Sequence, residues 1–346
     1  MKKKELSSRY ISEFTGELAL LVGAGVTVSD GIETLAADFP DNSGFLASLL
    51  KSTQEGMNFY DSLSKTEMVP EYMLSMIKLG EVSGKLDTTL VALSDFYDSQ
   101  AKLKTAITSA LAYPVVLILM LAAVVTVLIT KVLPIFAEVF GQMGAQLPKF
   151  SIALINFGRQ LSSVATIVIW VFAGIIIISA LILIIPSVKK KVFSFFKSRF
   201  GATGIFKWTL SAKFAKAMTT AISSGLDAEQ SIILAGDVVS GVKKTDAGIE
   251  KCKAMLKEGE STEKALEATG IFSIRDTRLL TIGQRTGSTE SVMTHIANRS
   301  EERAIESIET TLGKVEPTLV IIISIVVSAV LLSVMLPLTG IMSSLG

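Results

Sequence analysis

An internal duplication constrains this chain more than any other feature of its sequence. Leu79-Gly80-Glu81-Val82-Ser83-Gly84-Lys85-Leu86 recurs in diverged form as Ile282-Gly283-Gln284-Arg285-Thr286-Gly287-Ser288-Thr289, at an offset of 203. The same offset pairs Glu55-Gly56 with Glu258-Gly259, Leu63 with Leu266, Pro114 with Pro317, and Leu133-Pro134 with Leu336-Pro337. Gly25 pairs with Gly225 at an offset of 200, so about three residues are inserted between the landmarks. A repeat of this length sets the architecture and has to be recognised first.

Each copy reads as a small bundle of helices punctuated by glycine. An amphipathic helix ends at Gly25, and its counterpart Phe214–Ser224 ends at Gly225; glycine past a helix end supplies the left-handed turn. Thr27 with Asp30, and Asp227 with Gln230, have the spacing of N-caps. Short helices follow at Phe45–Glu55 and Asn58–Leu63, mirrored by Gly248–Glu258 and Ser261–Leu266. The helix through Met73–Leu79 leads into the Gly-Glu motif. From about Leu86 the positions Leu90, Leu93, Phe96, Tyr97 and Leu103 recur at helical spacing. No stretch alternates as a strand would, so the fold class is all-α.

The composition adds a membrane. Of 346 residues 49% are hydrophobic and the mean hydropathy is +0.54. Three uncharged stretches are long enough for a spanning helix of about 20 residues, and they predict spans at 112–133, 164–186 and 317–337. Pro114 and Pro317 then stand at span entries, where a missing backbone N–H costs least. The predicted organisation is a first helical module at 1–111, a short non-cytoplasmic connection at 134–163, a second module at 187–316 and a non-cytoplasmic tail at 338–346. Lys102, Lys104, Lys189, Lys190, Lys191, Lys197, Arg199, Arg303 and Lys314 lie on one side against Lys131, Lys149 and Arg159 on the other, which puts both modules in the cytoplasm. The start, Met1-Lys2-Lys3-Lys4, is followed by Glu5, Arg9, Glu13 and Glu17, which interrupt any signal-peptide core.

No enzymatic chemistry emerges. Gly80 to Lys85 is one residue short of a phosphate loop, Leu86 replaces the magnesium-binding hydroxyl, and no strand precedes it. The single histidine, His295, has no Cys or His cluster around it, so neither a metal nor another cofactor is expected. Cys252, between Lys251 and Lys253, reads as an incidental thiol on a cytosolic surface. Glu301-Glu302 and Glu306 with Glu309 read as a solvated helix face. Net charge is only +1, which gives a nucleic-acid partner no global support. A transporter would place ionisable groups or broken helices within the membrane, and the spans hold only residues such as Thr126, Ser179 and Ser324.

With these features in place the chain resembles the inner-membrane platform protein of type II secretion systems and type IV pili, the polytopic F-type component. The matching residues are Gly25-Val26-x-Val28 and Gly225-Leu226-x-Ala228, the Glu55-Gly56 and Glu258-Gly259 turns, Gly80-Glu81-x-Ser83-Gly84-x-Leu86, Pro114, Pro317 and Leu147-Pro148. Two departures stand out. The second copy has Gln284 in place of the acid and Thr289 in place of the leucine, and the chain begins almost at the first repeat, as in type IVb pilus platforms.

The resemblance implies a non-enzymatic protein of the bacterial inner membrane that couples a cytoplasmic hexameric ATPase to assembly of pilin or pseudopilin subunits. Other inner-membrane assembly proteins, the lipid bilayer and further copies of itself are the remaining expected partners. A small transporter and a membrane scaffold without a motor are the alternatives. The candidate site is the repeated motif: Gly80, Glu81, Ser83, Gly84, Gly283 and Gly287, with helix turns at Gly25 and Gly225. Glu81 either caps the following helix or offers an acidic contact to the motor, and the loss of that acid at Gln284 predicts a division of labour between the copies.

Overall fold

The computed structural model describes residues 5–38, 44–127, 205–241 and 243–322, with isolated positions at 134, 135, 138 and 142 and between 324 and 335. Among these residues the fold is all-helical. The first copy runs α1 (Ser8–Gly23), α2 (Val28–Asp38), α3 (Phe45–Gln54), α4 (Phe59–Thr66), α5 (Glu71–Ser83) and α6 (Leu86–Val127). The second runs α7 (Ile205–Ser223), α8 (Ala228–Val238), α9 (Lys243–Lys257), α10 (Thr262–Thr269), α11 (Ile274–Thr286) and α12 (Thr289–Gly313). The copies agree at their boundaries: α2 and α8 are related by 200 residues, and α4 and α10, and α5 and α11, by 203. The start of α7 at Ile205 lies nine residues before the predicted Phe214, because Leu210 and Ala212 are buried and extend the core-facing stripe.

The helix ends follow from the sequence. At Gly25 and at Gly225 the chain closes with the same two bonds, Gly25 N–H to Val22 O (2.9 Å) with Val26 N–H to Leu21 O (3.0 Å), and Gly225 N–H to Ile222 O (2.9 Å) with Leu226 N–H to Ala221 O (3.0 Å). These are Schellman closures, which satisfy carbonyls that the helix leaves free. Thr27 Oγ1 accepts from Asp30 N–H and Asp227 Oδ1 from Gln230 N–H, the N-caps that the spacing predicts. After α4 and α10 a buried threonine repeats one device: Thr66 Oγ1 donates to Leu63 O and accepts from Met68 N–H, and Thr269 does the same with Leu266 and Ile271.

Residues up to Ile107 and from Phe196 to Ile308 form one compact unit, and the remainder a second. In the first unit one large apolar core runs through both copies, with a smaller cluster at Leu103, Ala212 and Ala304. Phe14 stacks edge-on against Phe45, and its counterpart Phe214 stacks edge-on against Phe272. Each of these phenylalanines is buried, which stabilises the fold by about 2–3 kcal/mol per ring relative to exposure. Cys252 lies in this core, fully buried, at the position that answers to Leu49 in the first copy. It is therefore not a surface thiol: burial pushes its pKa up to about 11, against a smaller opposing pull from Lys253.

In the second unit Pro114 sits inside α6 and not at a helix start, so the helix continues across the predicted span entry and forgoes the bond the proline cannot donate. Pro317 lies in the first turn of a separate helical stretch at 315–322, after a turn at Lys314. The residues preceding the two prolines meet, Tyr113 OH donating to Glu316 Oε1 at 3.2 Å. No helix among the described residues is long and apolar enough to cross a membrane. The predicted span at 164–186 lies outside the described residues, as do all of the connection at 134–163 except 134, 135, 138 and 142, residues 128–133 of the first span and much of 317–337.

Candidate functional site

The repeated motif forms the junction between α5 and α6, and again between α11 and α12. Its two glycines do different work. Gly84 takes φ 66° and Gly287 φ 72°, the left-handed region that ends a helix and that a side chain resists. Lys85 N–H returns to Gly80 O at 2.9 Å and Gly84 N–H to Glu81 O at 3.3 Å; in the second copy Ser288 N–H returns to Gly283 O at 2.8 Å. Gly80 and Gly283 are not turn residues. They lie inside their helices, where a β-carbon would meet Thr89 Oγ1 at 2.8 Å in the first copy and Val292 Cγ2 at 2.9 Å in the second. Absence of a side chain there lets α6 fold back tightly on α5, and α12 on α11. Ser83 Oγ adds a long bond to Gly80 O, 3.4 Å, and stays exposed.

Glu81 separates the copies. Its half-buried carboxylate accepts from Phe59 N–H at 2.8 Å through Oε1 and from Tyr60 N–H at 3.0 Å through Oε2. Asn58 Oδ1 takes Asp61 N–H at 2.7 Å, so the first turn of α4 is fully satisfied. The helix that Glu81 caps is thus α4, reached across the bundle, and not the following helix α6. A carboxylate there also faces the positive end of the α4 dipole. In the second copy Ser261 Oγ accepts from Lys264 N–H, but among the described residues Gln284 makes no corresponding bond to α10. The motif's spacing points to the following helix because a cap 22 residues away leaves no trace in spacing.

Lys85, which gave the motif its phosphate-loop look, packs at the other copy: a β-carbon on Gly225 would stand 3.3 Å from Lys85 Nζ. The ammonium thus lies at the C-terminal end of α7, where a cation is favoured. Among the described residues of this unit three further polar bonds join the copies. Tyr72 OH donates to Ala217 O at 3.0 Å, Thr220 Oγ1 to Ala92 O at 3.3 Å, and Ser99 Oγ to Glu301 Oε2 at 2.8 Å. Burial raises the pKa of Tyr72 and of Tyr97, which keeps the Tyr72 hydroxyl a donor. Glu301 is accordingly a contact between copies and not part of a solvated face. His295 is exposed, and among the described residues no group of His, Cys, Asp and Glu is arranged to hold a metal.

The arrangement is that of a helical protein made of two joined copies of one unit, with glycine-tight helix pairs and no assembled catalytic constellation among the described residues. Comparison with known families resolves the class further. The family described as type II secretion system (T2SS), protein F, matches the chain twice, over 14–134 and over 214–337. Those matches start 200 residues apart and end 203 apart, the two offsets of the internal repeat. The chain belongs to the type II secretion system protein F family. Among its relatives, a type IV pilus assembly protein PilC from Myxococcus xanthus is 26% identical over 94% of this chain and 78% of its own length. A type II secretion system protein F from Aeromonas hydrophila is 25% identical over 97% of this chain and 87% of its own. A PilC from Thermus thermophilus is 24% identical over 96% and 82%.

Proposed function

We propose that this protein is the inner-membrane platform of a type IV pilus or type II secretion machine, which couples a cytoplasmic hexameric ATPase to assembly of pilin or pseudopilin subunits. The observation that carries the reading is the double family match on two copies that share one helical core. A compact, duplicated unit flanked by uncharged apolar stretches suits transmission of motion to the membrane, and relatives named for pilus assembly and for type II secretion supply the context. The spans stand at 112–133, 164–186 and 317–337, with modules 1–111 and 187–316 in the cytoplasm and the tail at 338–346 outside. The role is mechanical and non-enzymatic.

Two measurements test this. A cysteine introduced at Gln142 and a reporter fused after Leu345 should both report the non-cytoplasmic side, and cytoplasmic labelling of both would overturn the topology. Deletion of the protein should abolish filament assembly while the ATPase still hydrolyses ATP, and the full chain should co-purify with that ATPase. Filaments that form without the protein would refute the platform role.

A further inference from the structure

One face of the bundle is covered by helices in the second copy and open in the first. On α7 it is the face of Ala217 and Thr220. There Tyr72 OH donates to Ala217 O at 3.0 Å and Thr220 Oγ1 to Ala92 O at 3.3 Å, so α5 and α6 lie across it. Moved back by 200 residues, the offset that relates α7 to α1, these positions become Glu17 and Leu20. Ala217 and Thr220 are buried, whereas Glu17 is exposed and Leu20 is 71% exposed. Among the described residues, the face that receives helices in one copy receives none in the other.

The open face is a groove of about 420 Å³ between α1 and α6. Its floor is made of small residues in close approach: Ser12 Oγ donates to Ser94 O at 2.9 Å and Ser94 Oγ to Ser12 O at 2.8 Å, and a β-carbon on Gly16 would meet Ser94 Oγ at 2.9 Å. Leu20 and Val91 give it apolar walls, and Glu13, Glu17 and Asp95 give it carboxylates. Among the described residues Arg9 pairs with Glu13 at 2.9 Å, while Glu17 and Asp95 form no ion pair; the nearby Lys102 is held by Asp98 at 2.7 Å. The second copy shows what such a position takes. There Lys216 stands in place of Gly16 and Asn298 in place of Asp95, and Lys216 Nζ donates to Asn298 Oδ1 at 3.1 Å. In the first copy the lysine is absent and its acceptor is a full carboxylate.

We propose that the groove on α1 and α6 docks a helix of a different protein, one that carries Lys or Arg beside an apolar stripe. The occupant is a helix because helices cover the equivalent face of the second copy. It is basic because the lining holds three carboxylates and no cation, and because a partner's lysine beside Asp95 remakes the Lys216–Asn298 contact as a charge pair. Leu20 and Val91 take the apolar stripe, which removes their exposed surface from water. The helix pair that would repeat the internal contact from a second copy does not meet these terms. Its face on α11 and α12 mixes Arg275 and His295 with Glu302, and Arg299 is turned to Asp276 at 3.9 Å. The docking rests on the duplication and stands whichever machine the protein serves.

Site-specific photo-crosslinking of the full chain in its host cells tests this. Benzoylphenylalanine at Leu20, and separately at Val91, should link to one segment of a different protein, with Lys or Arg and apolar residues at helical spacing. Glu17→Lys with Asp95→Lys should lower the yield from Leu20 at least about tenfold, as loss of close charge pairs does. Replacing the basic residues of the linked segment by Glu should restore the yield with the reversed groove, which also shows that the reversed chain is folded. Gly16→Lys with Ser94→Ala, which builds the lysine of the second copy into the first, should likewise remove the link. The proposal is overturned by no link, by a link to this chain itself, or by a linked segment without the basic pattern. Undiminished yield from either double variant, or failure of the paired reversal to restore it, would overturn it equally.

Discussion

Replacing Glu81 is the sharpest probe of the motif. In Glu81→Ala the amides of Phe59 and Tyr60 lose their acceptors, while Asn58 continues to hold Asp61 N–H. Bonds to an ionised acceptor contribute about 1.5–3 kcal/mol each when buried. This carboxylate is half-buried, so solvent takes over part of the role, and about 2 kcal/mol for the pair is expected. Glu81→Gln keeps one acceptor oxygen and loses the charge at the helix dipole, which should cost about 1 kcal/mol. The assay is amide hydrogen exchange on the full chain, read at the first turn of α4: 2 kcal/mol corresponds to about thirtyfold faster exchange at Phe59 and Tyr60. Gln284→Ala should change exchange in α10 by less than about twofold, since no cap is lost there. Unchanged exchange at Phe59 and Tyr60 in Glu81→Ala, with filament assembly lost, would refute the capping argument and return Glu81 to the role of a motor contact.

The other expectations follow from packing, chemistry and backbone. Gly80→Ala should destabilise by about 1–3 kcal/mol through its clash with Thr89, and Thr89→Ala, which removes two of the three close atoms but leaves the β-carbon at 3.0 Å, should recover part of it; full stability of the single variant in chemical denaturation would contradict the close approach. Cys252 should resist a maleimide in the folded protein and react on unfolding. Because its folded pKa is raised to about 11 from 9.0, the stability it contributes is present below pH 9 and lost as pH rises through 11, which alkaline denaturation of Cys252→Ala would check. Glu67 holds φ 53° where the second copy has Gly270 at φ 64°, so Glu67→Gly should stabilise by up to about 1 kcal/mol in thermal unfolding, and a loss of stability would show that Glu67 earns its place elsewhere.

Sequence alone determined the duplication, the helical class, the insertion of three residues and the glycine closures and N-caps around Gly25 and Gly225, because these are local. A glycine, a capping hydroxyl and an apolar stripe act within a turn or two of where they stand, as the matching closures at Gly25 and Gly225 illustrate. Even the burial of Cys252 was available, since the offset of 203 lays it on Leu49 in the core stripe of α3; the flanking lysines obscured it. Tertiary structure decided the rest. Only packing separates Gly80, which admits Thr89, from Gly84, which turns the chain, although the motif writes both with the same letter. Only the bundle carries Glu81 to a helix 22 residues earlier. The joining of the copies was equally out of reach. Tyr72, Thr220 and Ser99 are unremarkable polar residues until two helix pairs cross, and a face becomes a partner or a vacant groove according to what the rest of the chain lays against it.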